Sequence, residues 1–158
     1  SAHLALALQF EEHSISREYI CLVEGGIKED SFTVDAPIGR HPKDRKKMMA
    51  GVKEGRRAVT HFQVQERFAG YTLLSCRLET GRTHQIRAHM EYIGCPIVGD
   101  DRYFGGERKR FGNLSDKLYL HAYKIDLSGI YNKKLEIAAP LPEHFKQAFA
   151  SLGIQFKE

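Results

Sequence analysis

A chain of 158 residues with 42% hydrophobic and 28% charged content has a one-domain length and an ordinary globular composition. No apolar run approaches the ~20 residues needed to span a bilayer, and "SAHLALALQF" lacks the basic start and cleavage site of a signal peptide, so a cytoplasmic location is expected. The net charge of +4 is modest but uneven: Arg40 to Arg57 holds eight cations against two acids, a net of +6, so the remainder is net negative.

Residues 2–13 carry an apolar helical pattern through Leu4 and Leu8 that starts almost at Ser1, and the abrupt start suggests a preceding segment. "REYICLVE", Arg17–Glu24, is apolar on both faces and predicts a central strand. A turn at Gly25-Gly26 leads to a strand around Ser31–Ile38. Gly39–Gly55, "GRHPKDRKKMMAGVKEG", has no sustained period and reads as a long surface loop, mobile without a ligand because few apolar residues anchor it.

Ala58–Arg67 and Tyr71–Glu79 read as a hairpin turning at Ala69-Gly70. Ala58, Thr60, Phe62 and Val64 share one face of its first strand; Thr72, Leu74, Cys76 and Leu78 share one face of its second. The turn Thr80–Thr83 then leads to a helix, capped by Thr83, with the stripe Ile86, Met90 and Ile93 and a stop at Gly94 and Pro96. Lys117–Ser128 and Lys134–Ala139 supply two more strands. Pro142 opens a last helix with the stripe Phe145, Ala148, Phe149 and Leu152, ending at Gly153. Hairpin-linked strands outnumber helices, which predicts an α+β fold with a mainly antiparallel mixed sheet flanked by helices and loops, in a single domain.

Several residues invite a chemical reading beside a bland one. His84 and His89 lie five apart, roughly 140° around a helix, whereas a helical zinc pair needs three or four, so no metal site is expected. Cys21, Cys76 and Cys95 form no Cys-x-x-Cys, and buried free thiols are expected of the first two. Gly81-Arg82-Thr83 at a helix start could hold a phosphate or be a capped turn with a solvated arginine. Arg87 sits beside Ile86 and Met90 rather than opposite them, so its guanidinium must either reach water or meet a buried carboxylate. Tyr19 could be a core tyrosine with its hydroxyl at the rim. The cations Arg40, Lys43, Arg45, Lys46 and Lys47 suit a polyanion, or else a solvated surface.

These pieces occur together in one family. "LETGRTHQIRAHMEYIGCPIVGDDRYFG", Leu78–Gly105, resembles the C-terminal signature motif of the RluA-type pseudouridine synthases. "SREYICLVEG" resembles their second motif, "APIGRHPKDRKKM" the loop of members that modify large-subunit ribosomal RNA, and "LYLHAYKIDL" the strand that follows. The resemblance implies isomerisation of uridine to pseudouridine without a cofactor or a metal. It also implies a partner, large-subunit ribosomal RNA or a pre-ribosomal particle, no membrane, and a monomer. By resemblance Arg87 orients the catalytic aspartate, Tyr19 contacts the flipped uracil, and Leu120 lines the pocket. Arg82, Arg40, Lys43, Arg45, Lys46 and Lys47 face RNA.

One departure is large. The family's nucleophile stands in a His-Arg-Leu-Asp motif that is absent here, and Arg77-Leu78-Glu79 belongs to the later motif. The resemblance places that aspartate before Ser1, making the chain the C-terminal part of one catalytic domain, inactive alone, with Arg87 unpaired and the fold destabilised accordingly. Asp100 and Asp101 fall where the family has an aspartate with a structural role. The alternative function is an RNA-binding module without chemistry, acting through residues 39–55.

Overall fold

A computed structural model of the chain describes residues 16–68, 70–103, 117–126 and 136–153. The helix expected over residues 2–13 lies outside them, as do Ala69 in the hairpin turn and parts of both C-terminal strand segments. The elements are β1 Ser16–Glu24, β2 Ser31–Asp35, β3 Ile38–Arg40, β4 Met48–Ala50, β5 Val59–Phe68, β6 Tyr71–Leu78, helix α1 Gln85–Tyr92, β7 Leu120–Asp126, β8 Glu136–Ala138 and helix α2 Glu143–Leu152. Six strands form one sheet in the order β2-β5-β6-β1-β7-β8, and β3 pairs with β4 in a separate two-stranded ribbon. Every pairing among these strands is antiparallel. This is the α+β class expected.

Burial explains the strand order. Ile20, Cys21, Leu22 and Val23 are all fully buried, so both faces of β1 are covered and it must be an interior strand. Tyr71 through Cys76 are likewise buried along β6, so the face opposite Thr72, Leu74 and Cys76 is covered as well, because β6 also lies inside the sheet, between β5 and β1. The register aligns Phe62, Cys76, Tyr19 and Ala122 across four strands, so alternation puts these side chains on one face. Helix α1 covers that face through His89, which bonds Thr60. Helix α2 covers the other, where the Phe145 ring meets Tyr119 and His121 at 5.3 and 6.2 Å. Phe145, Ala148 and Phe149 are its buried stripe, and Gly153 ends it with φ +73°, as the spacing predicted.

Three local expectations are corrected. The strand expected to run from Ser31 to Ile38 breaks at Ala36-Pro37: proline has no N–H for the ladder, and β3 starts beyond it. Gly39–Gly55 is not an unanchored loop. It contains most of the β3–β4 ribbon, whose Ile38 and Ala50 are buried and whose Met48 packs on the core. Its short apolar runs alternate with cations, which hid their period. Finally, Thr83 does not cap α1. The N-cap is His84, in the left-handed region at φ 52°, without a side-chain cap bond. No helix among the described residues is long and apolar enough to cross a membrane.

Candidate active site

The start of α1 is fixed by a side chain inside the helix rather than by a cap. Gln85 is buried, and its amide oxygen accepts from the Thr80 hydroxyl (2.7 Å) and the Arg82 N–H (3.0 Å). Its amide nitrogen donates to the Val59 carbonyl and to Thr60 Oγ1, both at 2.9 Å. The Thr60 hydroxyl therefore has its proton free for His89 Nδ1, 2.8 Å away, and His89 Nε2–H donates to the Ala36 carbonyl at 2.9 Å. Each donor finds an acceptor only if His89 is the neutral Nε2–H tautomer. Burial favours the same form by pressing the His89 pKa below its usual value. The network ties α1 to β5 and the end of β6, and so sets where Arg82 and Arg87 stand.

Arg87 lies one turn into that helix, and it has a carboxylate partner within the chain. Its Nε and Nη2 donate to the two oxygens of Asp100 at 2.9 and 2.8 Å. Asp100 is 1% exposed, and the pair holds the Arg87 guanidinium above the ordinary arginine pKa. The expected unpaired guanidinium, and the loss of stability that would follow from it, are thus corrected. The turn Ile97–Asp100 folds back over α1, which spacing along the sequence does not reveal. The bidentate contact uses one edge of the guanidinium. Nη1 makes no hydrogen bond to a described residue, and the Tyr103 ring lies beneath the group with its centroid 4.8 Å from Cζ.

Arg87 lines a cavity of about 270 Å³ together with Tyr19, Leu120 and Arg82. The structure therefore brings four sequence-predicted residues to one place. Tyr19 comes from central strand β1 and Leu120 from β7; alternation puts both on the α1 face. Arg82 comes from the turn, where its Nε donates to the Arg57 carbonyl at 2.7 Å. Burial, then the charges of Arg56 and Arg57, press its pKa below the usual arginine value. No carboxylate of a described residue lines this cavity.

Sequence reasoning missed several of its walls. Arg17 lies two residues before Tyr19 on the same strand and faces the same cavity; that i, i+2 spacing was the available signal. Its guanidinium rests against Gly81, where a Cβ would stand 2.7 Å from Nη2, so only glycine admits it there without movement. His84, Gln85 and Leu118 also contribute, and nothing local in the sequence marks them.

The ribbon cations lie apart from this cavity. Lys43, Arg45 and Lys46 are exposed in the β3–β4 connection, Arg40 donates to the Arg45 carbonyl at 3.0 Å, and Lys47 is turned inward onto Glu91 of α1. A second cavity of about 490 Å³ joins the two regions, lined by Asp44 of the connection and by Arg87, Asp100 and Leu118. His84 and His89 go to different partners: His84 Nδ1 meets the Tyr103 hydroxyl at 2.9 Å. Cys21 and Cys76 are buried free thiols with sulfurs 3.5 Å apart, as expected of strand-interior cysteines, and Cys95 is half-buried.

Comparison with known proteins shows the family of the chain. A family model for RNA pseudouridylate synthase matches residues 1–92. The uncharacterized RNA pseudouridine synthase YlyB of Bacillus subtilis is 44% identical over 153 residues, covering 96% of this chain and 48% of that protein. The ribosomal large subunit pseudouridine synthase D of Pseudomonas aeruginosa is 51% identical over 159 residues, covering 91% and 48%. The chain thus spans about half the length of the curated relatives it matches. Among solved structures, human RNA Pseudouridylate Synthase Domain Containing 1 superposes with a TM-score of 0.74 at 26% identity, covering 89% of this chain and 60% of that one. Human RNA Pseudouridylate Synthase Domain Containing 4 gives 0.78 at 22% identity over 99% and 69%, a likeness of fold. The chain belongs to the RNA pseudouridylate synthase family, on its RluA-type, RluD-like branch.

Proposed function

We propose that the protein of which this chain forms part isomerises uridine to pseudouridine in large-subunit ribosomal RNA. It acts as a cytoplasmic monomer on the RNA or a pre-ribosomal particle. The observation that carries the reading is Arg87. One edge of its guanidinium is committed to Asp100, and the group also lines a cavity with Tyr19 and Leu120 that holds no described carboxylate. An arginine has two bidentate edges, so the remaining one can orient a second carboxylate. In this reading that carboxylate is the nucleophilic aspartate, supplied by a segment outside these 158 residues.

The reaction needs little from the chain beyond positioning. The target uridine leaves its stack and enters the cavity, Tyr19 and Leu120 bracket the uracil, and Arg82 meets the backbone phosphates. The N-glycosidic bond from N1 to the ribose breaks, the uracil turns in place, C5 forms the new bond to the ribose, and the proton lost from C5 is matched by one gained at N1. In this reading Tyr19, which lines the cavity, assists removal of the C5 proton. Exposed Lys43, Arg45 and Lys46, with Arg40 at their base, hold the surrounding RNA through its phosphates.

The test assays the purified chain on uridine-containing ribosomal RNA, alone and mixed with a peptide carrying the parent's His-Arg-Leu-Asp segment. No pseudouridine is expected from the chain alone. Turnover is expected with the peptide and lost when its aspartate becomes asparagine. Turnover by the chain alone would show that the nucleophile is misplaced. RNA binding with no turnover under either condition would leave the chain an RNA-binding module acting through residues 39–55.

A further inference from the structure

The basic ribbon and Arg87 are joined by one buried side chain. Tyr103 is 1% exposed, and its hydroxyl accepts from the Met48 backbone N–H in β4 at 2.9 Å. That leaves its own proton for His84 Nδ1, 2.9 Å away, at the strained N-cap of α1. Burial and the nearby Arg87 charge lower the His84 pKa, which keeps Nδ1 an acceptor. The ring lies near two cations: Lys47 Nζ of the ribbon is 5.2 Å from its centroid and Arg87 Cζ is 4.8 Å away. The Tyr103 backbone N–H closes the set by donating to Asp100 Oδ1 at 3.3 Å, the oxygen that also accepts from Arg87 Nη2.

We propose that Tyr103 is a positioning residue that transmits RNA engagement at the β3–β4 ribbon to the Arg87 guanidinium. The inference rests on the RNA-modifying reading above and deepens it. A phosphate drawn to the ribbon pulls on Lys47 and on the Met48 backbone. Both touch Tyr103, and Tyr103 touches the helix start, the guanidinium and its carboxylate. The cavity shared by Asp44 and Arg87 leaves room for the ribbon to move against the guanidinium. His84 at φ 52° holds a conformation that non-glycine residues seldom adopt without a neighbour to enforce it, and Tyr103 is that neighbour. RNA binding is thereby used to orient Arg87 and not only to tether the substrate.

Two arms test this, each preceded by a melting curve to show that the variants fold. In the full-length protein, Tyr103→Phe keeps the ring and removes both hydroxyl bonds. Its single-turnover rate at saturating RNA should fall about tenfold while RNA affinity stays within about twofold. Lys47→Ala should slow turnover in the wild-type background and add little in Tyr103→Leu, which removes the ring that Lys47 and Arg87 both meet. Additive rate losses, or a Tyr103→Phe loss confined to affinity, would overturn the proposal. The second arm needs no turnover: the Arg87 Nε–H resonance is followed as an RNA oligonucleotide carrying a single uridine loop is added to the 158-residue chain. It should shift in wild type and stay within a tenth of that shift in Tyr103→Leu. Equal shifts would overturn the coupling. A wild-type protein that shifts but never modifies RNA would instead sink the proposed reaction while leaving the coupling intact.

Discussion

Arg87 is the residue on which the reading turns, and its surroundings show how a local pattern yields two answers at once. Its place on the flank of an apolar stripe demands a carboxylate or an exit to water, and Asp100 supplies the carboxylate thirteen residues later. In the proposed reading the same side chain keeps its second edge for the nucleophilic carboxylate. His89 is the converse case, a residue with metal-ligand potential that serves the core. Both its ring nitrogens are bonded in a fully buried setting, and its pKa is lowered, so acidification should act through it. Below about pH 6.5 the unfolded chain takes up a proton that the folded one refuses, so the unfolded state gains. Urea unfolding should therefore show stability intact above pH 6.5. It should fall below that by up to ~1.4 kcal/mol per pH unit from His89, until the folded pKa is reached. His84 is shifted the same way but is largely exposed, so solvent screening makes its share small. A flat profile between pH 6.5 and 5.5 would mean that His89 accepts a proton in place, against the bonding pattern around it.

Among the elements, the β3–β4 ribbon departs furthest from its sequence pattern. Read alone, "KDRKK" promises a solvated loop. In the fold, Ile38, Ala50 and the Tyr103 hydroxyl pin both ends, and the cations are displayed from a defined turn. If Lys43 and Lys46 bind phosphates, replacing both with alanine should weaken binding to unrelated single-stranded RNAs equally. The slope of log affinity against log salt should drop by about 0.7 for each phosphate no longer neutralised. Fluorescence anisotropy across a salt series reads this directly, and an unchanged slope would return the two lysines to a solvated surface. Helix α1 shows a related effect: the sequence marks Ile86 and Met90 of its stripe, but Ile93 stands past the helix end and is exposed, and the first turn is set by Gln85 reaching to Thr80 and to Val59 of β5.

On the scale of the whole molecule, the Ile97–Asp100 turn is where distant segments meet. Val98 N–H donates to Leu22 in β1, and its carbonyl accepts from Tyr119 before β7. Gly99, at φ +84°, lets the Lys117 backbone pass so close that a Cβ would sit 1.9 Å from its carbonyl oxygen. Gly99→Ala should therefore destabilise the chain by on the order of 2–3 kcal/mol or more, since neither backbone can move without breaking these bonds. It should also disturb Asp100, the neighbour that holds Arg87. A melting temperature within a degree or two of wild type would show that the approach is looser than its distances imply.

What the sequence determined by itself was whatever depends on short-range order. The central strand followed from "YICLV", the β5–β6 hairpin from alternation around Gly70, both helices from their stripes, and the family from a continuous motif. Tyr19, Arg82, Arg87 and Leu120 could be named because each stands in one of the separate stretches that resemble the family's. Only tertiary structure decided which carboxylate meets Arg87, that Arg17 shares its cavity, that Gln85 rather than Thr83 fixes the helix start, and that Tyr103 ties the ribbon to the site. Each of these is a contact between segments far apart in the chain. Its partner is selected by closure of the sheet and by the need to satisfy buried donors and acceptors, and neither leaves a period or a spacing in the sequence.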